Sequence, residues 1–184
     1  MDRQNTIIGD LWMDDGPRVS AEDPLSPDAA ALMEELTRTL TRITGEGGTG
    51  SFSVADVCGP GGAFVVARSA SGEALGCGAI RPFADGVAEV KRMYARPGSR
   101  GVGSAVLADL EARARSLGYQ ALWLETRRVN TAAVAFYTRR GYEPIHNYGR
   151  YAGRDECVCL GKILHHDAAS PSAAPPPERS ADAP

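Results

Sequence analysis

The chain has 184 residues, of which 43% are hydrophobic and 23% charged, and this composition is ordinary for one globular domain with terminal tails. Its 20 lysines and arginines face 23 aspartates and glutamates, so a net charge of −3 offers no basic field for nucleic acid or an anionic membrane. An acidic N-terminus and the lack of a long apolar run predict a cytoplasmic protein without a membrane-spanning segment.

Residues 1–25 are predicted to be an N-terminal segment with a short strand at 6–13, followed by an acidic, proline-containing link. A folded domain is predicted over residues 26–165. Its first helix begins after Ser26, because Ser26 supplies an N-cap, Pro27 suits the first helical position and Asp28 places an acid in the first turn. Its apolar side is formed by Leu32, Met33, Leu36, Leu40 and Ile43. The glycine-rich stretch 45–50 ends this helix and leads into a loop that runs to residue 62.

Three antiparallel strands are predicted after this loop. Residues 63–70 and 73–81 form a hairpin around Ser71 and Gly72, and a turn at 83–86 leads into the third strand, Val87–Ala95. Alternation along the third strand predicts that Val90, Arg92 and Tyr94 share one face and that Glu89, Lys91 and Met93 share the other.

A glycine loop follows the third strand and precedes a second helix. Apolar residues at spacings of three and four predict this helix, with Gly118 as its stop: Val102, Val106, Leu110, Ala114 and Leu117. Glycines at 98, 101 and 103 allow backbone N–H groups to point outward at the positive end of the helix dipole. This pattern predicts a binding site for a phosphate or pyrophosphate.

The remaining elements complete the sheet. A short strand at 121–126 is placed parallel to the third strand by the helical crossover, and a helix at 131–140 begins after Asn130 and stops at Gly141. Strands at 142–145 and 156–164 follow. The four cysteines include no C-x-x-C pair, so we expect reduced, buried thiols and no metal site. Residues 166–184 are rich in proline, alanine and serine and are predicted to be a disordered tail.

This order of elements, with the stretches VKRMYARPGSRGVGSAVL and NTAAVAFYTRRGY, resembles the GNAT superfamily of N-acetyltransferases. The resemblance covers about residues 26–164. It implies an α/β fold with a mixed, mostly antiparallel central sheet, a splayed pair of parallel strands and flanking helices. It also implies an acyltransferase that uses acetyl-CoA as co-substrate and acetylates a primary amine by direct attack in a ternary complex.

The first stretch resembles the family's acetyl-CoA motif, Arg/Gln-x-x-Gly-x-Gly/Ala, over residues 100–105. Aligning the helices instead puts Gly98 in the Arg/Gln place and leaves the loop after Pro97 two residues short, so the pairing of amides with phosphate oxygens stays open. The resemblance implies that the cofactor is contacted by Met93, Tyr94, Ala95, Ser99, Arg100, Gly101, Val102, Gly103 and Ser104. A backbone N–H around Met93 and Tyr94, where the strand bulges, is implied as the donor to the thioester carbonyl.

The second stretch resembles the family's Asn-x-x-Ala-x-x-x-Tyr helix. The resemblance implies that Asn130, Ala133 and Phe136 lie along the pantetheine arm and that Tyr137 is the general acid for the leaving sulfur. Core packing is the alternative role for Phe136 and Tyr137.

Glu89 matches a position where some members of the family have a general base, and an ion pair with Lys91 or Arg92 is its alternative role. The resemblance also implies that the acceptor mouth lies between the loop at 52–62 and the loop that holds Tyr148, Arg150 and Tyr151. A small-molecule amine is favoured over a protein acceptor. Three residues near the splayed strands are either acceptor contacts or a solvated loop: Glu125, Arg127 and Arg128.

Two other functions fit part of the pattern. Gly101 and Gly103 open a helix and Glu125 ends the next strand, as in a dinucleotide site, although three antiparallel strands in front fit that site poorly. A non-catalytic domain that binds an acyl-CoA would have the same fold, with Tyr137 passive. The sequence leaves both the acceptor and the choice between monomer and homodimer open.

Overall fold

The computed structural model describes residues 16–165. The strand predicted at 6–13 and the tail predicted at 166–184 lie outside the described residues. No helix in the described range is long and apolar enough to cross a membrane.

The fold is α/β, with a seven-stranded sheet flanked by helices. The strands are β1 (Arg18–Ala21), β2 (Ala63–Arg68), β3 (Ala74–Ala84), β4 (Val87–Ala95), β5 (Ala121–Arg127), β6 (Glu143–Ile145) and β7 (Cys157–Ile163). The helices are α1 (Pro27–Thr44), α2 (Val54–Cys58), α3 (Val102–Ser116) and α4 (Thr131–Thr138), with 3-10 turns at Thr49–Ser51 and Gly149–Tyr151.

Sheet topology decides between the two fold classes considered above. The spatial order is β1-β2-β3-β4-β5-β7-β6, and among these pairs only β4 and β5 run parallel. The predicted mixed, mostly antiparallel sheet is confirmed. A doubly wound dinucleotide-binding sheet is excluded, because that fold needs a run of parallel strands.

Helices cover both faces of the sheet and place β4 near its centre. The apolar residues of α3, such as Val106 and Leu110, are buried together with Val90 of β4 and Leu122 of β5. On the opposite face, α1 and α2 bury a second cluster made of Ala29, Leu32, Val57, Phe64, Val66, Ala74, Cys77 and Ala79. Burial on both sides fixes β4 against movement, so the loops at its C-terminal end have a rigid base.

The cap predicted for α1 is present: the Ala29 N–H donates to the Ser26 hydroxyl at 3.2 Å, and the helix ends at Gly45 in a left-handed conformation with φ 80°. The predicted apolar side of α1 is wrong at its last residue, because Ile43 is exposed.

Two elements were missed by the sequence analysis. Strand β1 lies in the stretch interpreted as a link, so four antiparallel strands, not three, precede the glycine loop. Long-range contacts explain β1: Arg68 of β2 bonds Glu22 at 2.7 Å, just after the strand, and Asp28 at 2.7 Å. Helix α2 lies in the predicted loop and is held by a capping box between Ser53 and Asp56.

Two further differences are smaller. Helix α4 ends at Thr138, since the Arg140 N–H turns back to the Tyr137 carbonyl at 2.9 Å and tightens the last turn. All four cysteines are free, but Cys58 is exposed at the end of α2 and not buried as expected.

Candidate active site

Strands β4 and β5 separate halfway along their length and leave a slot. Their parallel ladder pairs Val87, Ala88 and Glu89 with Ala121, Leu122 and Trp123, and the described pairing extends no further. Beyond it lies a cavity of ≈ 140 Å³ whose walls come from β4, β5, α4 and the end of α1. Among its lining residues are Met93, Glu125, Asn130, Ala133 and Tyr137.

A β-bulge in β4 opens this slot. The register between β3 and β4 shifts between the pairs Ala79–Lys91 and Cys77–Tyr94, and Arg92 has a φ of 53°. A left-handed conformation is rare outside glycine and costs of the order of 1 kcal/mol or more. The Arg92 guanidinium donates to the Gly48 carbonyl at 3.2 Å.

The bulge also corrects the predicted alternation of β4. Val90 and Met93 pack in the cluster under α3, whereas Tyr94 packs in the cluster under α1. Strict alternation had placed Met93 with Glu89 and Tyr94 with Val90. One extra residue in the strand reverses the faces of everything that follows it.

The glycine loop has the backbone that a phosphate site requires. Gly98 and Gly101 have φ values of 83° and 78°, a conformation that side chains with a Cβ rarely adopt. Gly101 is the N-cap of α3 and supplies no side-chain cap, so the first amides of α3 face the loop without a capping side chain among the described residues. The predicted glycine loop therefore leads directly into the start of α3. The predicted cofactor contacts at this end of the helix are Ser99, Arg100, Val102, Gly103 and Ser104.

Arg140 is a cation beside this loop that the sequence analysis missed. Its guanidinium donates to the Ser104 hydroxyl in the first turn of α3 and lies 3.7 Å from the Phe136 ring centroid. The stacking on Phe136 fixes the guanidinium at the positive end of α3, where it adds to the field of the helix dipole. The signal in the sequence was the Arg-Arg pair at the end of the Tyr137 helix, which was interpreted only as a helix end.

Helix α4 brings Tyr137 to the slot. Asn130 caps this helix, since its side chain accepts a hydrogen bond from the Ala133 N–H at 3.3 Å. Tyr137 is buried against Tyr142, and burial raises the pKa of its phenol above the ordinary value, with Arg140 opposing the shift. The phenol therefore keeps its proton at neutral pH. Among the described residues, no hydrogen-bond partner engages the Tyr137 hydroxyl.

Some predicted cofactor contacts have side chains already engaged within the protein. Tyr94 donates its hydroxyl to Glu35 of α1 at 3.2 Å, so only its backbone is available to the slot. Phe136 packs against the start of α3: a Cβ placed on Gly103 would lie 3.2 Å from its ring. Ala95 packs, like Phe136, against the hydrophobic cluster under α3. These three residues shape the walls from behind, whereas Met93 lines the slot itself.

Glu89 is held in a buried ion-pair network. Arg81 donates two hydrogen bonds to its Oε2 at 2.9 and 2.7 Å. The Lys91 ammonium lies 2.8 Å from Oε1 of Glu89, and the Tyr148 hydroxyl donates a hydrogen bond to the same oxygen at 3.0 Å. Its side chain is 1% exposed, and Lys91 also donates to the Tyr151 hydroxyl at 2.8 Å. Both oxygens of Glu89 therefore already have charged or hydroxyl donors.

A second, wider cavity adjoins the slot on the side of α1. It has a volume of ≈ 420 Å³ and shares Leu40, Gly48, Ser51, Glu125 and Thr126 with the slot. Its outer walls are the glycine-rich segment after α1 and the loop between β6 and β7, including Tyr151. The structure thus places Glu125, Arg127 and Arg150 in a cavity wall, whereas Arg128 lines a separate groove beside α4.

Charge in this second cavity is mixed. Arg127 bonds Glu46 at 3.2 Å, and Arg150 donates to the Gly50 carbonyl. Arg154 lines the cavity and pairs at 2.8 Å with Glu156, which is not among the lining residues. Within the described residues, no group of three or more histidine, cysteine or carboxylate side chains is arranged to hold a metal ion.

Comparison with known proteins identifies the fold and the reaction class. Residues 30–142 match the model of the acetyltransferase (GNAT) family. IAA acetyltransferase from Azospirillum brasilense is 34% identical over 136 residues, which are 72% of this chain and 88% of that protein. An uncharacterised N-acetyltransferase of Schizosaccharomyces pombe is 37% identical over 92 residues, 48% of this chain and 56% of that protein.

Solved structures agree with this match. A structure from Klebsiella pneumoniae, described as an acyl-CoA N-acyltransferase, has a TM-score of 0.68 at 29% identity and covers 81% of this chain and 98% of its own. A phosphinothricin acetyltransferase from Sinorhizobium meliloti, solved in complex with AcCoA, shares the fold at a TM-score of 0.56 and 19% identity, covering 84% and 91% of the two chains. The family and enzyme class inferred from the two sequence stretches are confirmed. The chain belongs to the acetyltransferase (GNAT) family and is an acetyltransferase.

Proposed function

We propose that the protein transfers the acetyl group of acetyl-CoA to the primary amine of a small molecule by direct attack in a ternary complex. The observation that carries the proposal is the slot between β4 and β5: it adjoins the second cavity, and α4 in its wall packs through Phe136 against Gly103 at the start of α3. A donor bound at the glycine loop and an acceptor in the second cavity would meet in the slot beside Tyr137. We further propose that residues 26–165 form the catalytic unit.

The residues at the donor side suit acetyl-CoA. The first amides of α3, with Gly98 and Gly101 in left-handed conformations and Arg140 alongside, form a cradle for a pyrophosphate. Residues on the walls of the slot, including Met93 and Ala133, would hold the pantetheine arm. Bound there, acetyl-CoA supplies the activated acyl group. The free cysteines fit a reducing compartment, so we place the reaction in the cytoplasm.

In the proposed reaction, groups of the protein itself donate and accept the protons. The Tyr137 phenol keeps its proton because burial raises its pKa, and it donates that proton to the departing sulfur. A backbone N–H at the bulge near Met93 and Tyr94 stabilises the charge that develops on the carbonyl oxygen. A base must accept a proton from the amine, and the sequence offers either Glu89 or a chain of water molecules for this role.

The test is an amine panel with detection of free CoA. Purified protein is incubated with acetyl-CoA and single amines, covering small polyamines, aminoglycosides, amino acids and a lysine peptide. We expect amine-dependent release of CoA and an acetylated product by mass spectrometry, strongest for a small molecule. If acetyl-CoA binds but no amine of the panel is acetylated, the proposed acceptor class, a small-molecule primary amine, is wrong.

Binding of the donor is measured separately by thermal shift. Acetyl-CoA should stabilise the fold by about 2.7 kcal/mol at ~100 times its dissociation constant, because it binds the folded state. NAD serves as the control for a dinucleotide and should give no comparable stabilisation. No stabilisation by acetyl-CoA would contradict its assignment as the donor.

A further inference from the structure

We propose that the acceptor is a primary amine that also carries a carboxylate, and that Arg127 of β5 and Arg150 bind this carboxylate in the second cavity. The inference rests on the proposed function and names the chemical class of its acceptor. With a volume of ≈ 420 Å³, the cavity has the size of a small-molecule site. Among the described residues, its lining contains three arginines, Arg127, Arg150 and Arg154, but only two carboxylates, Glu46 and Glu125. The lining therefore has an excess of positive charge, which attracts an anion and repels a simple ammonium.

The charge of Arg127 is only partly compensated within the protein. Among the described residues its side chain gives one hydrogen bond, from Nη1 to Glu46 at 3.2 Å, whereas a guanidinium has five N–H donors. The Glu46 side chain is 67% exposed, so solvent weakens this ion pair. The Arg127 Nε is buried and has no hydrogen-bond partner in the described part of the chain. A carboxylate on the acceptor would supply negative charge and acceptor oxygens that the protein itself does not.

Arg150 adds a second cation that no carboxylate of the described residues pairs with. Its Nη1 donates to the Gly50 carbonyl, so the glycine-rich segment after α1 holds this side chain in the cavity wall. Arg154 differs, because it lies 2.8 Å from Glu156 and its charge is already matched. The two arginines with charge to spare come from different walls of the cavity, β5 and the loop between β6 and β7. Two such cations suit the two oxygens of one carboxylate.

The position of Arg127 along β5 places the carboxylate away from the reacting end of the acceptor. Glu125 and Thr126 line both the slot and the second cavity, so this part of β5 marks where the two meet. Arg127 follows Glu125 by two positions on the same face of the strand, about 6.6 Å farther along, and it lines only the cavity. A short molecule whose carboxylate binds Arg127 can therefore extend its amine into the slot.

The same charges discriminate against other classes of amine. A polyamine or an aminoglycoside carries several ammonium groups, and its second cation would lie beside Arg127 and Arg150, where like charges repel. A neutral alkylamine avoids this repulsion in its unprotonated form but leaves both arginines without an added acceptor. Amino carboxylates should therefore be acetylated faster than polyamines and aminoglycosides in the acceptor panel.

The first test compares acceptors that differ only in the carboxylate. Glycine, β-alanine and 4-aminobutyrate are each paired with the corresponding carboxamide, and kcat/KM is measured at saturating acetyl-CoA and corrected for the fraction of unprotonated amine. We expect the carboxylate to be preferred by about 10–100-fold at the chain length that spans the distance from Arg127 to the slot. No preference for the carboxylate at any of these lengths, or faster acetylation of a polyamine, would overturn the proposal.

The second test uses variants at the cavity. Arg127→Gln should raise KM for the preferred amino carboxylate about 10–100-fold with little change in kcat, and should leave KM for its carboxamide unchanged. Arg128→Gln is the matched control, because this exposed neighbour lines a separate groove and should change neither value. Glu46→Gln should lower KM for the carboxylate about two- to fivefold, since it removes a competing acid. Arg127→Gln and Glu46→Gln break the same ion pair, so a rise in KM for both would indicate a structural role and overturn the proposal.

A binding measurement without turnover separates this proposal from the proposed function. Calorimetry with CoA in place of acetyl-CoA should show that Arg127→Gln binds the preferred amino carboxylate about 10–100-fold more weakly than the wild-type protein does, while Arg128→Gln binds it equally well. If the wild-type protein acetylates no amine, the proposed function fails and this inference falls with it. If it acetylates amines but Arg127→Gln binds and acetylates amino carboxylates as the wild-type protein does, the proposed function stands and only the carboxylate site is overturned.

Discussion

Replacing Glu89 with leucine should destabilise the fold strongly, because it removes the carboxylate that compensates Arg81 and the buried Lys91. The carboxylate compensates Arg81, whose side chain is 21% exposed, and Lys91, which is 9% exposed. Arg81 retains Asp56 at 2.5 Å after the substitution, whereas Lys91 retains only the hydroxyl of Tyr151. Lys91 is thus the charge left without compensation.

The expected magnitude follows from that difference. Removing one partner of a buried ion pair typically costs about 3–5 kcal/mol. Because Arg81 keeps a carboxylate, we expect the lower end for Glu89→Leu, ~3 kcal/mol. In a domain of this size, such a loss lowers the melting temperature by roughly 6–12 °C.

The assay is equilibrium unfolding in urea followed by far-UV circular dichroism. The double variant Glu89→Leu with Lys91→Met should be more stable than Glu89→Leu alone, because it removes the stranded ammonium. Glu34→Gln is the control, since its pair with Arg38 is exposed and should change stability by less than about 1 kcal/mol. A loss below ~1 kcal/mol for Glu89→Leu, or simple additivity in the double variant, would refute the reasoning.

The remaining predictions concern the donor side. Tyr137→Phe should lower turnover by about 10²-fold with acetyl-CoA binding intact, as measured by single-turnover kinetics and calorimetry; normal turnover with chemistry rate-limiting would exclude it as the acid. Gly103→Val should raise the acetyl-CoA dissociation constant, measured by calorimetry, roughly tenfold or more. The reason is that its Cβ would lie 3.2 Å from Phe136 and crowd the first turn of α3. Unchanged binding by a folded variant would show that the phosphates bind at another place. Arg140→Gln should weaken acetyl-CoA binding about 10–100-fold and flatten its salt dependence, whereas the exposed neighbour Arg139→Gln should not; equal effects of the two would refute a phosphate contact.

The centre of the fold was predictable because its signals are local. The bounds of β4, Val87–Ala95, agree with the prediction, since glycine and proline mark both ends of an alternating run. The start of α3 was marked by Gly101 in the same way. Strand β1 could not be predicted, because four mostly exposed residues become a strand only by pairing with β2 and by the contacts of Arg68. That information lies more than 40 residues away in the chain.

The sequence pointed to several residues that line the slot, such as Met93 and Asn130, but not to the ion-pair partners of the strand carboxylates. Glu89 and Glu125 each occupy a strand near the slot, and neither sequence context shows which has cationic partners. The partners of Glu89 come from distant segments: Tyr148 is 59 residues away. Arg81 is eight residues away, but it reaches Glu89 only because β3 and β4 form that register. Ion pairing is a tertiary property, so a motif match at Glu89 says nothing about whether its oxygens are available.

Arg92 shows why a sequence pattern fails at the place where the site is formed. A regular β4 would continue its ladder with β5 and present Met93 on the face of Glu89, and no slot would open. The left-handed conformation of Arg92 inserts one extra residue, turns Met93 into the slot and sends Tyr94 to α1. Contacts of the Arg92 guanidinium with the Gly48 carbonyl and the Phe52 ring offset the cost of this conformation. The same side chain therefore holds the bulge open and binds the segment that walls the second cavity, so the geometry of the slot is coupled to that wall.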